Sequence, residues 1–74
     1  MKQIKNPKDI GVLVKDVRKN KKISQEDIAQ LAGVGRRFVS ELENGKSTLE
    51  IGKVLQVLKR LGIDLTAHLR GSDE

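Results

Sequence analysis

SQEDIAQLAGVGRRFVSELENG, residues 24–45, reads as two short helices joined by a tight turn. Ser24 is a helix cap, and Asp27 three residues on gives a capping-box-like start to the first of them. Ile28, Ala29 and Ala32 form its inner face, with Ala29 small where two helix backbones must approach. Gly33 permits the left-handed turn that a larger residue resists. Leu31 falls off the inner stripe, and the pattern assigns it neither to the core nor to the surface. The next helix runs from about Gly35 to Glu43 and stops at Asn44-Gly45, a helix-terminating pair. Val39 and Leu42 point inward at a spacing of three, so Arg36, Arg37, Ser40 and Glu41 face outward.

Upstream, Asn6-Pro7 is a helix entry, with Asp9 in the first turn near the positive end of the dipole. Ile10, Leu13, Val14 and Val17 lie on one helical face, predicting a helix from about Pro7 to Asn20. The cations Arg18, Lys19, Lys21 and Lys22 at its end read equally well as a solvated terminus that complements the dipole and as a phosphate clamp. Downstream, Ser47 with Glu50 predicts a capping box opening a fourth helix, whose stripe Ile51, Val54, Leu55, Leu58 and Leu61 is the widest in the chain and which ends at Gly62. The period then changes. Ile63, Leu65, Ala67 and Leu69 alternate with Asp64, Thr66, His68 and Arg70, the pattern of a half-buried strand. A lone strand leaves its ladder unpaired, so the economical expectation is antiparallel pairing with the same strand of a second copy across a two-fold axis, with the segment around Ile4 as a possible addition.

Composition narrows the function classes. The 74 residues fit one small domain, whose stability is marginal unless it is oligomeric. Fifteen Lys and Arg against ten Asp and Glu give a net charge of +5, which favours a polyanionic partner. With Phe38 as the one aromatic residue, no base-stacking platform for single strands can be built. Phe38 lies between the inner and outer faces: it is either partly buried at the junction of the second and third helices or in contact with a thymine methyl. There is no Cys and a single His68, so the expectation is no catalytic residue, no metal site and no cofactor. Gly33-Val34-Gly35 is not a phosphate loop, because it follows a helix and lacks the later Gly and Lys. MKQIKNPK lacks a signal peptide's hydrophobic core and no run can span a bilayer, so the chain is expected to be a soluble cytoplasmic protein with no membrane partner.

The layout is that of a helix-turn-helix, in which the second helix enters the DNA major groove and the first lies across the phosphates. Ser24-Gln25, Ala29, Gly33-Val34, Val39, Leu42 and Glu43-Asn44-Gly45 fall in register with the phage Cro and repressor type, the XRE family, which the chain resembles over about residues 10–61. The Asn6-Pro7 entry, the stretch SELENGKSTLEIGKVLQVLKRLGI and a terminal strand in place of a fifth helix resemble, more narrowly, HipB-like antitoxins. Gly35 departs from the pattern, since the family usually has Ser or Thr there.

The resemblance implies an all-α, lambda-repressor-like domain of four helices with a C-terminal β-strand pairing across a homodimer. Its parts are an arm (1–6), the DNA-binding domain (7–62), a dimerisation strand (63–70, using Ile63, Leu65, Ala67 and Leu69) and a tail (71–74) expected to be disordered. It also implies double-stranded DNA contacts at Ser24, Gln25, Arg36, Arg37, Ser40, Glu41, Asn44 and Lys46. The chemistry agrees: Gln25 can bond a phosphate or brace a neighbour, and Arg36 or Arg37 can offer a two-pronged donor to guanine O6 and N7. Glu41 either accepts from cytosine N4 or orients an arginine. Arg18 and Glu43 occupy positions that resemble an ion pair fixing the recognition helix, with Arg18 set beside a phosphate. The function implied is a repressor of a palindromic operator that is also the antitoxin of a HipA-type toxin kinase in a prokaryote. The alternative is a repressor of the same family with no toxin partner.

Overall fold

Asn6 and Pro7 open the first helix as their chemistry requires. The Asp9 amide donates to Asn6 Oδ1 at 3.0 Å, and Asp9 Oδ2 in turn accepts from the Lys5 amide at 2.9 Å. The computed structural model describes residues 3–71 and contains, among them, four helices: α1 (Pro7–Asn20), α2 (Gln25–Ala32), α3 (Arg36–Glu43) and α4 (Ile51–Arg60). The helix-turn-helix unit is α2 and α3; α1 and α4 hold it from either side, since α3 packs on α1 and α2, and α2 packs on α4.

All four helices end in the same backbone motif, in which two amides beyond the helix turn back to its last carbonyls. At α2 the turn residue is Gly33 with φ 73°, where a Cβ is strained, and the Val34 amide donates to Ala29 O at 2.9 Å. At α1 the left-handed residue is Lys22, with φ 58°, followed by Ile23 donating to Arg18 O at 3.0 Å. After three of the four turns an apolar residue folds down on the core: Ile23 after α1, Val34 after α2 and Ile63 after α4.

The core is built from Val14, Ile28, Ala29, Ala32, Val39, Leu42, Val54, Val57, Leu58 and Leu61. Gly11 is also buried, because α1 crosses the end of α3 there so closely that a Cβ would lie 2.8 Å from the Glu43 carbonyl oxygen and nearer still to that of Leu42.

Two expectations about α4 are corrected. α4 opens at Ile51 with Glu50 as its cap residue and no side-chain capping bond, so the Ser47–Glu50 box does not form; residues 47 and 48 belong to a turn. The buried stripe is Val54, Val57, Leu58 and Leu61, centred to one side of the expected one, which leaves Ile51 and Leu55 on an open edge, 63% and 47% exposed. Residues 63–69 form no strand within the chain: Ile63 completes the α4 terminus, donating to Leu58 O at 2.9 Å, and the alternation beyond it is exposed on both sides, with Leu69 81% exposed. Leu31 is exposed. The expected disorder of the tail concerns residues 72–74, which, with Met1 and Lys2, lie outside the described residues.

Candidate nucleic-acid interface

The outward face of α3 is a consequence of its apolar spacing. Val39 is wholly buried and Leu42 nearly so, which turns Arg36, Arg37, Ser40 and Glu41 away from the core. Gly35 is the cap residue of α3 and provides no side-chain bond, consistent with the missing hydroxyl noted above. Arg36 and Arg37 are exposed, Ser40 is half-buried, and together with Gln25 at the first position of α2 they line an open recess of about 300 Å³. Four groups from both helices of the unit therefore converge on one surface. Ser24, before α2, keeps its hydroxyl on the Asp27 amide at 3.0 Å. Asn44 is the exposed cap residue ending α3 and Lys46 follows it, exposed. Phe38 is partly buried against the core, which is where the first of its two readings put it.

Behind this surface is a buried polar clamp. Arg18 Nε donates to Glu43 Oε2 at 2.6 Å and its Nη2 to Oε1 at 3.0 Å, a two-pronged pairing that suits planar guanidinium and carboxylate groups. Arg18 Nη1 donates to the Ile23 carbonyl at 2.9 Å, and Gln25 Nε2 donates to Glu43 Oε1 at 3.1 Å. The side chains of Arg18 and Glu43 are 11% and 4% exposed. Burial pushes the Glu43 carboxyl up, but the hydrogen bonds from Arg18 and Gln25 and the charges of Arg18 and Lys15 outweigh it and hold the group below the ordinary carboxylate range. The hydrogen bond to Glu43 likewise raises Arg18, against its own desolvation. All three groups of guanidinium nitrogens point into the protein, so the geometry makes Arg18 a strut between α1 and α3. Gln25 keeps one amide hydrogen and its carbonyl oxygen for an outside partner.

A second, exposed set of contacts lies on the surface. Glu41 Oε2 accepts from Arg37 Nε at 3.3 Å and lies 3.4 Å from Lys46 Nζ. Of the expected residues, the structure thus brings Gln25, Arg36, Arg37 and Ser40 to one recess, joins Glu41 and Lys46 beside it, and turns Arg18 inward. Sequence reasoning missed Gly11, which sets the depth of the α1–α3 crossing. The signal was present: a glycine inside a helix, with no turn to make, costs about 1 kcal/mol against Ala and calls for a packing reason.

Among the described residues no group of three or more His, Cys, Asp or Glu could hold a metal ion, and no helix is long and apolar enough to cross a membrane. A helix-turn-helix domain model matches residues 11–74. An HTH-type transcriptional regulator of Sinorhizobium fredii, y4mF, is 56% identical over 89% of this chain and 90% of its own length. The ImmF control region 10 kDa protein of Bacillus phage phi105 is 31% identical over 78% of the chain and 64% of its own. Among solved structures, a HipB–O4 20mer complex superposes with a TM-score of 0.85 at 20% identity, covering 95% of this chain and 99% of that one. A HipA–HipB–O2–O3 complex does so at 0.86 with the same identity and coverage. The restriction-modification controller protein C.AhdI of Aeromonas hydrophila reaches 0.69 at 28% identity, over 78% and 84% of the two chains. Its outward α3 and a match that spans most of its length place the chain in the XRE-type helix-turn-helix family of transcriptional regulators, to which it belongs.

Proposed function

We propose that the protein is a sequence-specific repressor that binds a palindromic DNA operator as a homodimer, one α3 in each of two half-sites about one helical turn apart. The observation that carries this reading is the recess of Gln25, Arg36, Arg37 and Ser40, mounted on a helix that a buried ion pair locks to α1. A fixed helix with outward arginines suits bidentate recognition of guanine, and Ser24, Asn44 and Lys46 at its flanks suit phosphates. Arg18 acts in this scheme by holding α3. Ile63, Leu65, Ala67 and Leu69 serve dimerisation by pairing antiparallel with a second copy; the exposure of Leu65 and Leu69, and of Ile51 and Leu55 on α4, supports an apolar surface covered in the dimer. The protein works in a prokaryotic cytoplasm, on the nucleoid.

A finer reading is that this repressor is the antitoxin of a HipA-type kinase and regulates their shared operon. The likeness to HipB supports it, because that likeness takes in 95% of the chain, the extended segment after α4 included, whereas the match to the controller protein covers 78%. A stand-alone repressor is the alternative. Two measurements separate the outcomes. Footprinting on selected DNA should show two protected half-sites, and light scattering should give twice the 8.2 kDa chain mass. Purification from the native host should then bring down one stoichiometric kinase; its repeated absence leaves the stand-alone repressor, and a monomer that protects no DNA overturns both.

A further inference from the structure

Glu41 is the wrong charge for a surface that meets a polyanion, and its surroundings account for it. A single carboxylate oxygen holds two cations, Arg37 through Nε at 3.3 Å and Lys46 through Nζ at 3.4 Å. The arrangement has a fixed frame. Arg37 lies one helical turn before Glu41 on the same face, and the Lys46 amide donates to the Glu41 carbonyl at 3.1 Å, so the backbone motif that ends α3 places Lys46 beside the carboxylate. The Glu41 side chain is 28% exposed while that of Arg37 is 91% exposed, so the anion sits lower, beneath the cation it holds. Arg36, by contrast, has no hydrogen-bond or ion-pair partner among the described residues.

Building on the reading of the α3 face as the duplex-facing surface, we propose that Glu41 is an internal stand-in for a phosphate. In the free protein it occupies Arg37 and Lys46, and a duplex has to displace it before either cation can engage. The competition weakens binding to every sequence alike. A site that offers Arg37 more than the carboxylate does, such as the O6 and N7 pair of guanine, still binds after meeting that cost, whereas weak non-specific complexes fall below it, so Glu41 sets the affinity a duplex must exceed to be held. A Glu41 that instead read cytosine N4 directly would have the opposite signature on removal.

The test uses the full chain and a labelled 30-base-pair duplex of random sequence, titrated by fluorescence anisotropy in salt from 50 to 200 mM. Glu41→Gln should bind this duplex about 3- to 30-fold more tightly at 50 mM salt, and the slope of log K against log salt should steepen by about 1 to 2 as freed cations take up phosphates. Glu50→Gln, which frees Lys53 on α4 from its partner at 3.7 Å, gives the same rise in net charge and should gain less. In an Arg37→Ala/Lys46→Ala background the effect of Glu41→Gln should shrink to less than about twofold. Glu41→Ala should repeat the gain, and thermal unfolding of each variant establishes that it is folded. If the wild-type protein binds the random duplex and Glu41→Gln binds it equally or more weakly, or gains no more than Glu50→Gln, the proposal is overturned alone. If the wild-type protein shows no salt-sensitive binding at 50 mM, the DNA-binding reading fails and the proposal with it.

Discussion

Arg18 on α1 and Glu43 at the end of α3 meet at 2.6 Å through Nε and Oε2, with a second prong from Nη2, and they do so almost out of contact with solvent. A pair of this kind contributes little net stability, because desolvation offsets most of the attraction, but losing one partner strands the other. Glu43→Ala should therefore destabilise the domain by about 3–5 kcal/mol, a large share of the roughly 4–11 kcal/mol expected for a 74-residue chain. An Arg18→Met/Glu43→Leu double variant should fold with a stability within about 2 kcal/mol of wild type and still bind DNA more weakly. Denaturant unfolding alongside a DNA titration separates the two effects; a folded double variant with unchanged DNA affinity would show that the clamp does not position α3.

The same carboxylate makes stability depend on pH. Its folded value lies below its ordinary value of 4.5, so its contribution is complete above about pH 4.5 and is lost as the pH falls through the folded value. Glu43→Gln removes that titration. Urea midpoints between pH 2 and 7 should show the wild-type advantage over the variant narrowing below pH 4.5, and a constant difference over the whole range would contradict the assignment.

Lys22 holds the left-handed turn after α1 with φ 58°, a conformation that strains a residue with a Cβ. Lys22→Gly should stabilise the protein by about 0.5–1 kcal/mol, raising the melting temperature by roughly 2–8 °C. Calorimetry reads this directly, and a lower melting temperature would mean that the lysine side chain contributes more than the turn costs.

Gly11→Ala pushes the other way. Helix propensity favours Ala by about 1 kcal/mol, but the new methyl would meet the Leu42 and Glu43 carbonyls. Overpacking of this kind costs about 1–3 kcal/mol and levers α1 away from the end of α3. Chemical denaturation should show a net loss, with DNA affinity reduced as well; a stabilised variant would show that the helices part freely.

These outcomes bear on what was legible beforehand. The ends of α1 and α2 follow from Asn6, Pro7, Ser24 and Gly33, because capping is local and each residue does one thing. α4 was misjudged where local rules compete. Ser47 and Glu50 have the spacing of a capping box, yet the chain is still completing a turn after Gly45, and the helix begins only at Ile51. Ile51 and Leu55 lie within one helical face of Val54 and Leu58, as Val57 does on the other side, and apolar spacing alone does not say which edge meets α2. Ile63 opened an alternating pattern and was read with it, although it also fits the apolar position that closes a helix terminus, and within one chain that second role is the one it fills. The Arg18–Glu43 clamp joins residues 25 apart, which no local spacing rule links; family likeness supplied it. The clasp of Lys46 on Glu41 lies across a turn, where helical periodicity no longer applies.

The central claim is that α3 reads the major groove, and methylation of guanine N7, an atom that lies in that groove, tests it most directly. On a selected operator, methylation should block wild-type binding at guanines in two clusters about 10 base pairs apart. The Arg36→Ala/Arg37→Ala variant should lose that interference together with its sequence preference, by about 1–3 kcal/mol for each good contact removed. Interference that is absent from the major groove, or that survives unchanged in the double variant, would contradict the account.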